Sequence, residues 1–296
     1  MTMKPVEETF SRVVAGMWRV MRWNMTRAQL AAFIEECVDI GVTSFDHADI
    51  YGGYEAEAFF GDALALRPGL RERVQIVTKA GIRLVSPARP QHRVKHYDSS
   101  AAHLRESVER SLRALRRERI ELFLLHRPDP LIDEDELARE IERLVAAGKI
   151  GAFGVSNFSA REFESLHARI PLATNQIELS PFHSMPIEDG TLSALKTARV
   201  TPMIWSPLGG GRLFDENDAA AARVRHALQT IQRERGVTNW VSIAYAWIFR
   251  LPSRPIAIAG TRRIEGMRDA VDALDIELTR EEWFAILEAA RGRAVD

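Results

Sequence analysis

The feature that most constrains the fold is an alternation, repeated eight times, between a short apolar run and a longer stretch of helical period. Short β-branched or apolar runs suit parallel strands buried on both faces. They occur at 12–17 (RVVAGM), 42–48 (VTSFDHA), 73–81 (RVQIVTKAG), 120–126 (IELFLLH), 150–157 (IGAFGVSN), 172–178 (LATNQIE), 200–206 (VTPMIWS) and 255–260 (PIAIAG). Between them, apolar residues recur three and four apart, as in amphipathic helices. These stretches cover 26–40, 54–66, 100–116, 134–148, 159–169, a segment ending near Lys196, 219–235 with 239–250, and 264–274. A further helix at 280–290 closes the chain. Thr26 reads as an N-cap and Gly41 as a helix stop. Strict strand–helix alternation builds a parallel sheet covered by helices. Eight such units close into a (β/α)8 TIM barrel, here with an extra C-terminal helix. An open doubly wound sheet would announce itself by a Gly-x-Gly-x-x-Gly turn after its first strand. None follows residue 17, and no Walker A loop is present. The length of 296 residues suits one barrel domain spanning 1–296.

The bulk numbers exclude several partners. The formal net charge is −1 with both signs interspersed, so no broad field draws the chain to nucleic acid or an anionic membrane. No apolar run approaches the ~18 residues of a membrane-spanning helix. The opening MTMKPVEETF lacks the apolar core of a signal peptide. The single cysteine, Cys37, lies on an apolar helix face and reads as a small buried hydrophobe. One cysteine permits no intramolecular disulfide, and a cytoplasmic location is expected.

A barrel enzyme places its chemistry at the C-terminal strand ends and in the loops after them. Polar residues collect at those positions: Asp46 and Tyr51, Lys79, His126, Ser156 and Asn157, Asn175 and Gln176, Trp205 and Ser206, Gly260 and Thr261. Each alone has an ordinary structural explanation, but seven polar strand ends on one rim are harder to dismiss. If Asp46, Tyr51, Lys79 and His126 are adjacent, they form a proton-delivery set. A phenol of pKa about 10 is a poor acid at neutral pH. A nearby ammonium favours the phenolate and lowers that value. A buried ammonium needs a counter-charge, which Asp46 supplies. A histidine beside the phenol can hydrogen-bond and orient a substrate oxygen. Reduction of a carbonyl by hydride needs such a set, and with no hydride source among side chains a nicotinamide would bind nearby.

The segments FDHADIYG, TKAG, LFLLHRPDP, GVSNF, NQIE and WSPLGGG resemble the successive signatures of the aldo-keto reductase superfamily, in order, across about residues 12–290. RWNM at 22–25, DHADIYGGYE and WSPLGGGRLF resemble a bacterial branch, in which histidine replaces the commoner threonine after the aspartate. The resemblance implies an NADP-dependent reductase of aldehydes or ketones. Tyr51 would donate the proton, Lys79 and Asp46 would form the tuning ion pair, and His126 would orient the substrate. Ser156, Asn157 and Gln176 would hold the nicotinamide carboxamide, and Trp205 would stack on its ring. Ser206, Leu208, Gly210 and Arg212 lie where the strand-seven loop wraps the pyrophosphate. Gly260, Thr261 and Arg262 open the segment that holds the adenosine end, and Asp269 stands where an acidic residue meets the adenine. The resemblance also implies a monomer, with dimerisation through outer helices left open.

Two departures bear on the cofactor. Many relatives carry Lys-Ser after strand eight, and an arginine five residues beyond that serine; this chain has Gly260-Thr261 and Gly266. Arg262, Arg263 and Arg268 are near enough in sequence to meet a 2′-phosphate with guanidinium forks. NADPH is therefore the expected cofactor, with NADH as the alternative. Trp18, at the end of strand one, is a candidate pocket wall for a small carbonyl substrate. Gly209-Gly210-Gly211 would let backbone approach a pyrophosphate, and Gly52-Gly53 would permit a turn. Strand alternation points His47 away from Asp46, into packing. The basic loop 81–98, with Arg83, Arg89, Arg93 and Lys95, reads as a pocket wall favouring anionic substrates. No His-Glu-x-x-His or paired-cysteine spacing supports a metal. A rival reading from another class is a cofactor-binding sensor or regulatory subunit with slow turnover. A barrel lyase or hydrolase would need an imine at Lys79, which pairing with Asp46 opposes.

Overall fold

A computed structural model describes residues 6–295. Residues 1–5, part of the opening stretch read above for a signal peptide, and residue 296 lie outside the described residues. Ten strands form: β1 Val13–Gly16, β2 Ser44–Asp46, β3 Gln75–Ala80, β4 Ile82–Arg83, β5 His96–Tyr97, β6 Ile120–Leu125, β7 Ile150–Ser156, β8 Asn175–Glu178, β9 Met203–Trp205 and β10 Ile256–Ala259. Eight close into a barrel in the order β1-β10-β9-β8-β7-β6-β3-β2, and every pairing is parallel. The remaining two, β4 and β5, form a small antiparallel hairpin within the 81–98 loop.

Helices α1 Val6–Thr9, α2 Arg27–Asp39, α3 Ala56–Ala65, α4 Ala101–Ala114, α5 Glu134–Ala146 and α6 Ala160–His167 follow the chain through its first half. Then come α7 Met185–Glu188, α8 Thr191–Ala198, α9 Ala219–Arg235, α10 Trp240–Phe249, α11 Ile264–Asp272 and α12 Arg280–Arg291. Thr26 does cap α2, accepting from the Gln29 amide while the Gln29 side chain accepts from the Thr26 amide. Cys37 is wholly buried, and burial pushes its thiol up to about 12, so it is an inert core group.

Two shells of apolar packing hold the barrel. The inner one gathers Val14, Val77, Leu122, Leu124, Met203, Ile256 and Ile258, and Val6 and Phe10 from the segment before β1 join it. That segment enters at the N-terminal end of the strands, so it closes the floor of the barrel. The outer shell lies between sheet and helices, as with Phe45, Ile76 and Phe60 on one side and Phe123, Phe153 and Phe163 on another. No helix among the described residues is long and apolar enough to cross a membrane.

Candidate active site

Side chains alternate along a strand, so one parity faces the barrel interior and the other the helices. In β3, Val77 belongs to the inner cluster and Ile76 to the outer. Lys79 therefore points inward, while Thr78 points outward and donates to Glu57 of α3 at 2.6 Å. In β6, Leu122 and Leu124 face inward, which sets His126 inward at the strand's C-terminal end. In β2, Phe45 packs outward and Asp46 inward. His47 follows the outward parity and packs on Phe60, with ring centroids 4.4 Å apart.

The three inward polar residues meet Tyr51 at the mouth. Lys79 Nζ donates to the two Asp46 carboxylate oxygens at 2.7 and 2.8 Å and to the His47 carbonyl at 2.7 Å. It stands 3.4 Å from Tyr51 Oη. Gln176 Nε2 donates to Asp46 Oδ1 at 2.8 Å, so the carboxylate is satisfied from two strands. Lys79 is 1% exposed and Asp46 4%, so the pair is fully desolvated. The Tyr51 and His126 rings meet edge to face at 6.0 Å. Tyr51 is followed by Gly52 at φ +58, and a Cβ there would collide with the Met21 side chain. The turn that delivers the phenol to the mouth thus requires glycine.

Burial disfavours the charged form of each group, and neighbouring charges then correct it. Burial pushes the Lys79 ammonium down, but the Asp46 charge and hydrogen bonds outweigh it, and the ammonium sits above its ordinary value. Burial raises the Tyr51 phenol, Lys79 opposes that only in part, and the net direction is upward. The lowering expected from the sequence is therefore reversed, because desolvation of the phenolate exceeds the gain from the ammonium. Burial, then the charges of Lys79, Arg127 and Lys95, hold His126 well below its ordinary value, so its ring is neutral.

A cavity of about 940 Å³ runs from this cluster along the rim. Trp18, Asp46, Tyr51, His126, Ser156, Asn157, Gln176, Trp205, Ser206, Leu208, Gly210, Gly260, Thr261 and Arg262 all line it. Ser156, Asn157 and Trp205 form one network. The Asn157 amide donates to Ser156 Oγ at 2.8 Å, and Trp205 Nε1 donates to Asn157 Oδ1 at 3.0 Å. Gly210 and Gly211 have φ of +65° and +106°, and a Cβ at Gly211 or Gly260 would enter open space. Backbone left uncovered in this way is what a phosphate-bearing ligand needs for close approach.

Three expected cofactor residues stand outside the cavity lining. Arg212 Nε is held 2.5 Å from Asp218 and its guanidinium lies over the Phe182 ring. Asp269 accepts from the Asn239 side chain at 2.7 Å. Arg268 also lies off the lining, where Arg263 takes a place beside Arg262. The two departures after strand eight are coupled: a Cβ at Gly266 would lie 3.1 Å from the Thr261 side chain, which occupies that space.

Sequence reasoning missed Arg127 and Tyr245, which also line the cavity. Arg127 directly follows His126, so its position was available; Tyr245 sits inside α10, where nothing in the sequence separates it from core. In the 81–98 loop, the cation that reaches the cavity is Lys95, together with Ile82 and Tyr97. Arg89 instead lies over the Tyr54 ring and Arg83 pairs with Asp98 at 2.7 Å. Arg83 and Arg89 line a second, smaller cavity of about 280 Å³, with Asp49, His103 and Arg110.

The geometry joins a desolvated ammonium–carboxylate pair, a phenol, a neutral imidazole and a long groove. Similarity to known proteins points the same way. The family model described as "Aldo/keto reductase family" matches residues 12–291. The oxidoreductase YdhF of Escherichia coli is 48% identical, over 98% of this chain and 97% of its own length. A 6-dehydroglucose reductase of Agrobacterium fabrum is 43% identical, over 96% of each chain. A Klebsiella pneumoniae aldo/keto reductase solved in complex with NADP and acetate superposes with a TM-score of 0.75 at 28% identity, covering 94% of this chain and 90% of that one. With the family match running through nearly every strand and helix of the barrel, this chain belongs to the aldo/keto reductase family of oxidoreductases.

Proposed function

We propose that the chain reduces aldehyde or ketone carbonyls to alcohols with NADPH, Tyr51 being the proton donor. The observation that carries the reading is the contact of Tyr51 Oη with the Lys79 ammonium, itself anchored on Asp46, at one end of the groove. Ser156, Asn157 and Gln176 would hold the nicotinamide end, with Trp205 beside it. Ser206, Leu208 and Gly210 would take the pyrophosphate, and Gly260, Thr261, Arg262 and Arg263 the adenosine phosphate. When bound, the reduced cofactor supplies the hydride, which no side chain here can provide. The solved Klebsiella relative carries NADP, which supports the choice of cofactor.

The chain's own residues do the remaining work. His126, neutral and at the mouth, hydrogen-bonds the carbonyl oxygen and turns it toward Tyr51. As that oxygen gains negative charge, the phenol gives up its proton. Lys79 then stands beside the phenolate and stabilises it by charge, in a site dry enough for the interaction to matter. Asp46 and Gln176 keep the ammonium in place. Trp18, 58% exposed, and Trp23 wall the outer cavity against water.

Sugar aldehydes belong in the first substrate panel, given the relative named 6-dehydroglucose reductase. We also read the chain as a cytoplasmic monomer of the bacterial branch marked by DHADIYGGY, on the motif itself and on one buried cysteine. The test is oxidation of NADPH against aldehydes and ketones for wild type and Tyr51→Phe. The variant should lose about 10²–10⁴-fold in kcat, the usual worth of a positioned acid, while its Kd for NADPH stays within error. Equal turnover by the two proteins rejects the proton-donor role.

A further inference from the structure

The cations of the main cavity divide into two groups. Arg262 and Arg263 follow β10 at the end assigned to the adenosine phosphate. Arg262 Nη1 donates to the Trp23 carbonyl at 3.1 Å, which brings the β1 loop, with Arg22, to that same end. Arg19 donates to the Gly210 carbonyl at 3.1 Å, on the pyrophosphate loop. A dinucleotide would neutralise this group. Lys95 and Arg127 are different. They line the cavity from the β4–β5 hairpin and from the residue after His126, on the side of Tyr51 and His126.

Neither Lys95 nor Arg127 has an ion-pair or hydrogen-bond partner for its side chain among the described residues. Both are close enough to depress His126 by their charge, and Arg127 acts on Tyr51 as well. Among the described residues the only carboxylate in the cavity lining is Asp46, and Lys79 and Gln176 already saturate it. Two uncompensated cations therefore flank the place where the carbonyl must sit. A guanidinium fork and an ammonium together suit an oxyanion.

We propose that Lys95 and Arg127 select carbonyl substrates that carry an anionic group, a carboxylate or a phosphate, on the arm opposite the hydride-accepting carbon. This rests on the carbonyl-reductase reading of the same site. A polyhydroxylated chain between the carbonyl and the anion is compatible with it, since Tyr97 also lines the cavity. The positive pair also gives association a favourable field, so the preference weakens as salt screens it.

The test uses two matched pairs of aldehydes with saturating NADPH: para-formylbenzoate against its methyl ester, and glyceraldehyde against its phosphate ester. Wild type should prefer the charged member of at least one pair by about tenfold or more in kcat/KM, mostly through KM, the scale of one charge-assisted hydrogen bond. Which pair shows it distinguishes carboxylate from phosphate. In Lys95→Gln/Arg127→Gln the ratio should fall toward one, and in the single variant Lys95→Glu, at an exposed position, it should fall below wild type. Half-molar salt should shrink the wild-type ratio. Equal kcat/KM within both pairs for wild type overturns the inference and leaves the reductase reading standing, as does a ratio that survives in the double variant. Absence of turnover on all four aldehydes rejects the reductase reading, and the inference with it.

Discussion

Tyr51 is a phenol kept protonated by its surroundings, and that fixes how the rate should answer to pH. Burial raises it above its ordinary value of about 10, so neutral and mildly alkaline solution leave it intact. His126, held well below 6.5, contributes no proton change between neutrality and mild acid. The kcat of carbonyl reduction should therefore run level from pH 6 through about 9, measured by NADPH oxidation in constant-ionic-strength buffers. An inflection near 6.5 would mean that His126 titrates in the cycle. His47 offers a second residue-scale prediction, in stability. Among the described residues both its ring nitrogens are buried without a partner, and burial with the Lys79 charge lowers it from 6.5 to about 3. The folded ring stays neutral where the unfolded ring takes a proton, so stability is lost as pH falls from 6.5 toward 3, by about 1.4 kcal/mol per unit. His47→Leu should remove that slope. Its denaturant midpoint, relative to wild type, should rise at pH 4 compared with pH 7. The backbone carbonyl that holds Lys79 survives the change. Strand parity was enough to send His47 away from the site and Asp46 into it. It could not give the sign of the Tyr51 shift, because that sign depends on how completely surrounding side chains exclude water.

At the scale of elements, the site is held from behind. The Glu57 carboxylate on α3 accepts from Thr78 of β3 at 2.6 Å and from Ser111 of α4 at 2.9 Å. One buried acid thus ties two helices to the strand whose next residue is Lys79. Burial raises Glu57, against those two hydrogen bonds, so the carboxyl is tolerated only because both hydroxyls meet it. Glu57→Ala leaves two buried hydroxyls unpartnered and a void, and should cost about 3 kcal/mol or more in urea unfolding. Glu57→Gln keeps an acceptor and should cost roughly half as much. If both variants match wild type, Glu57 is not the tie described. The helix was legible from its periodicity, yet the role of Glu57 was not, because apolar period says nothing about which outward strand residue a helix will face. The β4–β5 hairpin was equally hidden. Strands of two residues carry no alternation, so the 81–98 stretch read as plain loop, and its cations were assigned together. Pairing to Asp98 and stacking on Tyr54 remove Arg83 and Arg89 from the main cavity and leave Lys95.

For the whole molecule, the eightfold rhythm carried the barrel because each unit needs the next to bury its second face. An isolated strand–helix pair would leave one side of the strand in water, and only closure from β1 to β10 satisfies all eight at once. The rim then follows from the direction of the chain, since every barrel strand runs the same way and the catalytic candidates lie at the C-terminal strand ends or, for Tyr51, in the turn after β2. What rhythm could not resolve is the far end of the groove, where contacts come from exposed arginines with several possible partners. Asp218 took Arg212, and Asn239 took Asp269. Ligand linkage measures that end directly. A ligand that binds only the folded barrel stabilises it by about 2.7 kcal/mol at a concentration of 100 Kd. For a chain of this size that is on the order of 4 °C in Tm. NADPH should raise Tm more than NADH at equal concentration, and Arg263→Ala should remove most of that difference while sparing the shift given by NADH. The reasoning is one of charge: the two cofactors differ only by the 2′-phosphate, so a residue that meets it acts on one shift alone. Should Arg263→Ala lower both shifts equally, the guanidinium serves the shared part of the dinucleotide. Should NADH give the larger shift in wild type, Gly260 and Gly266 have cost the groove its phosphate site.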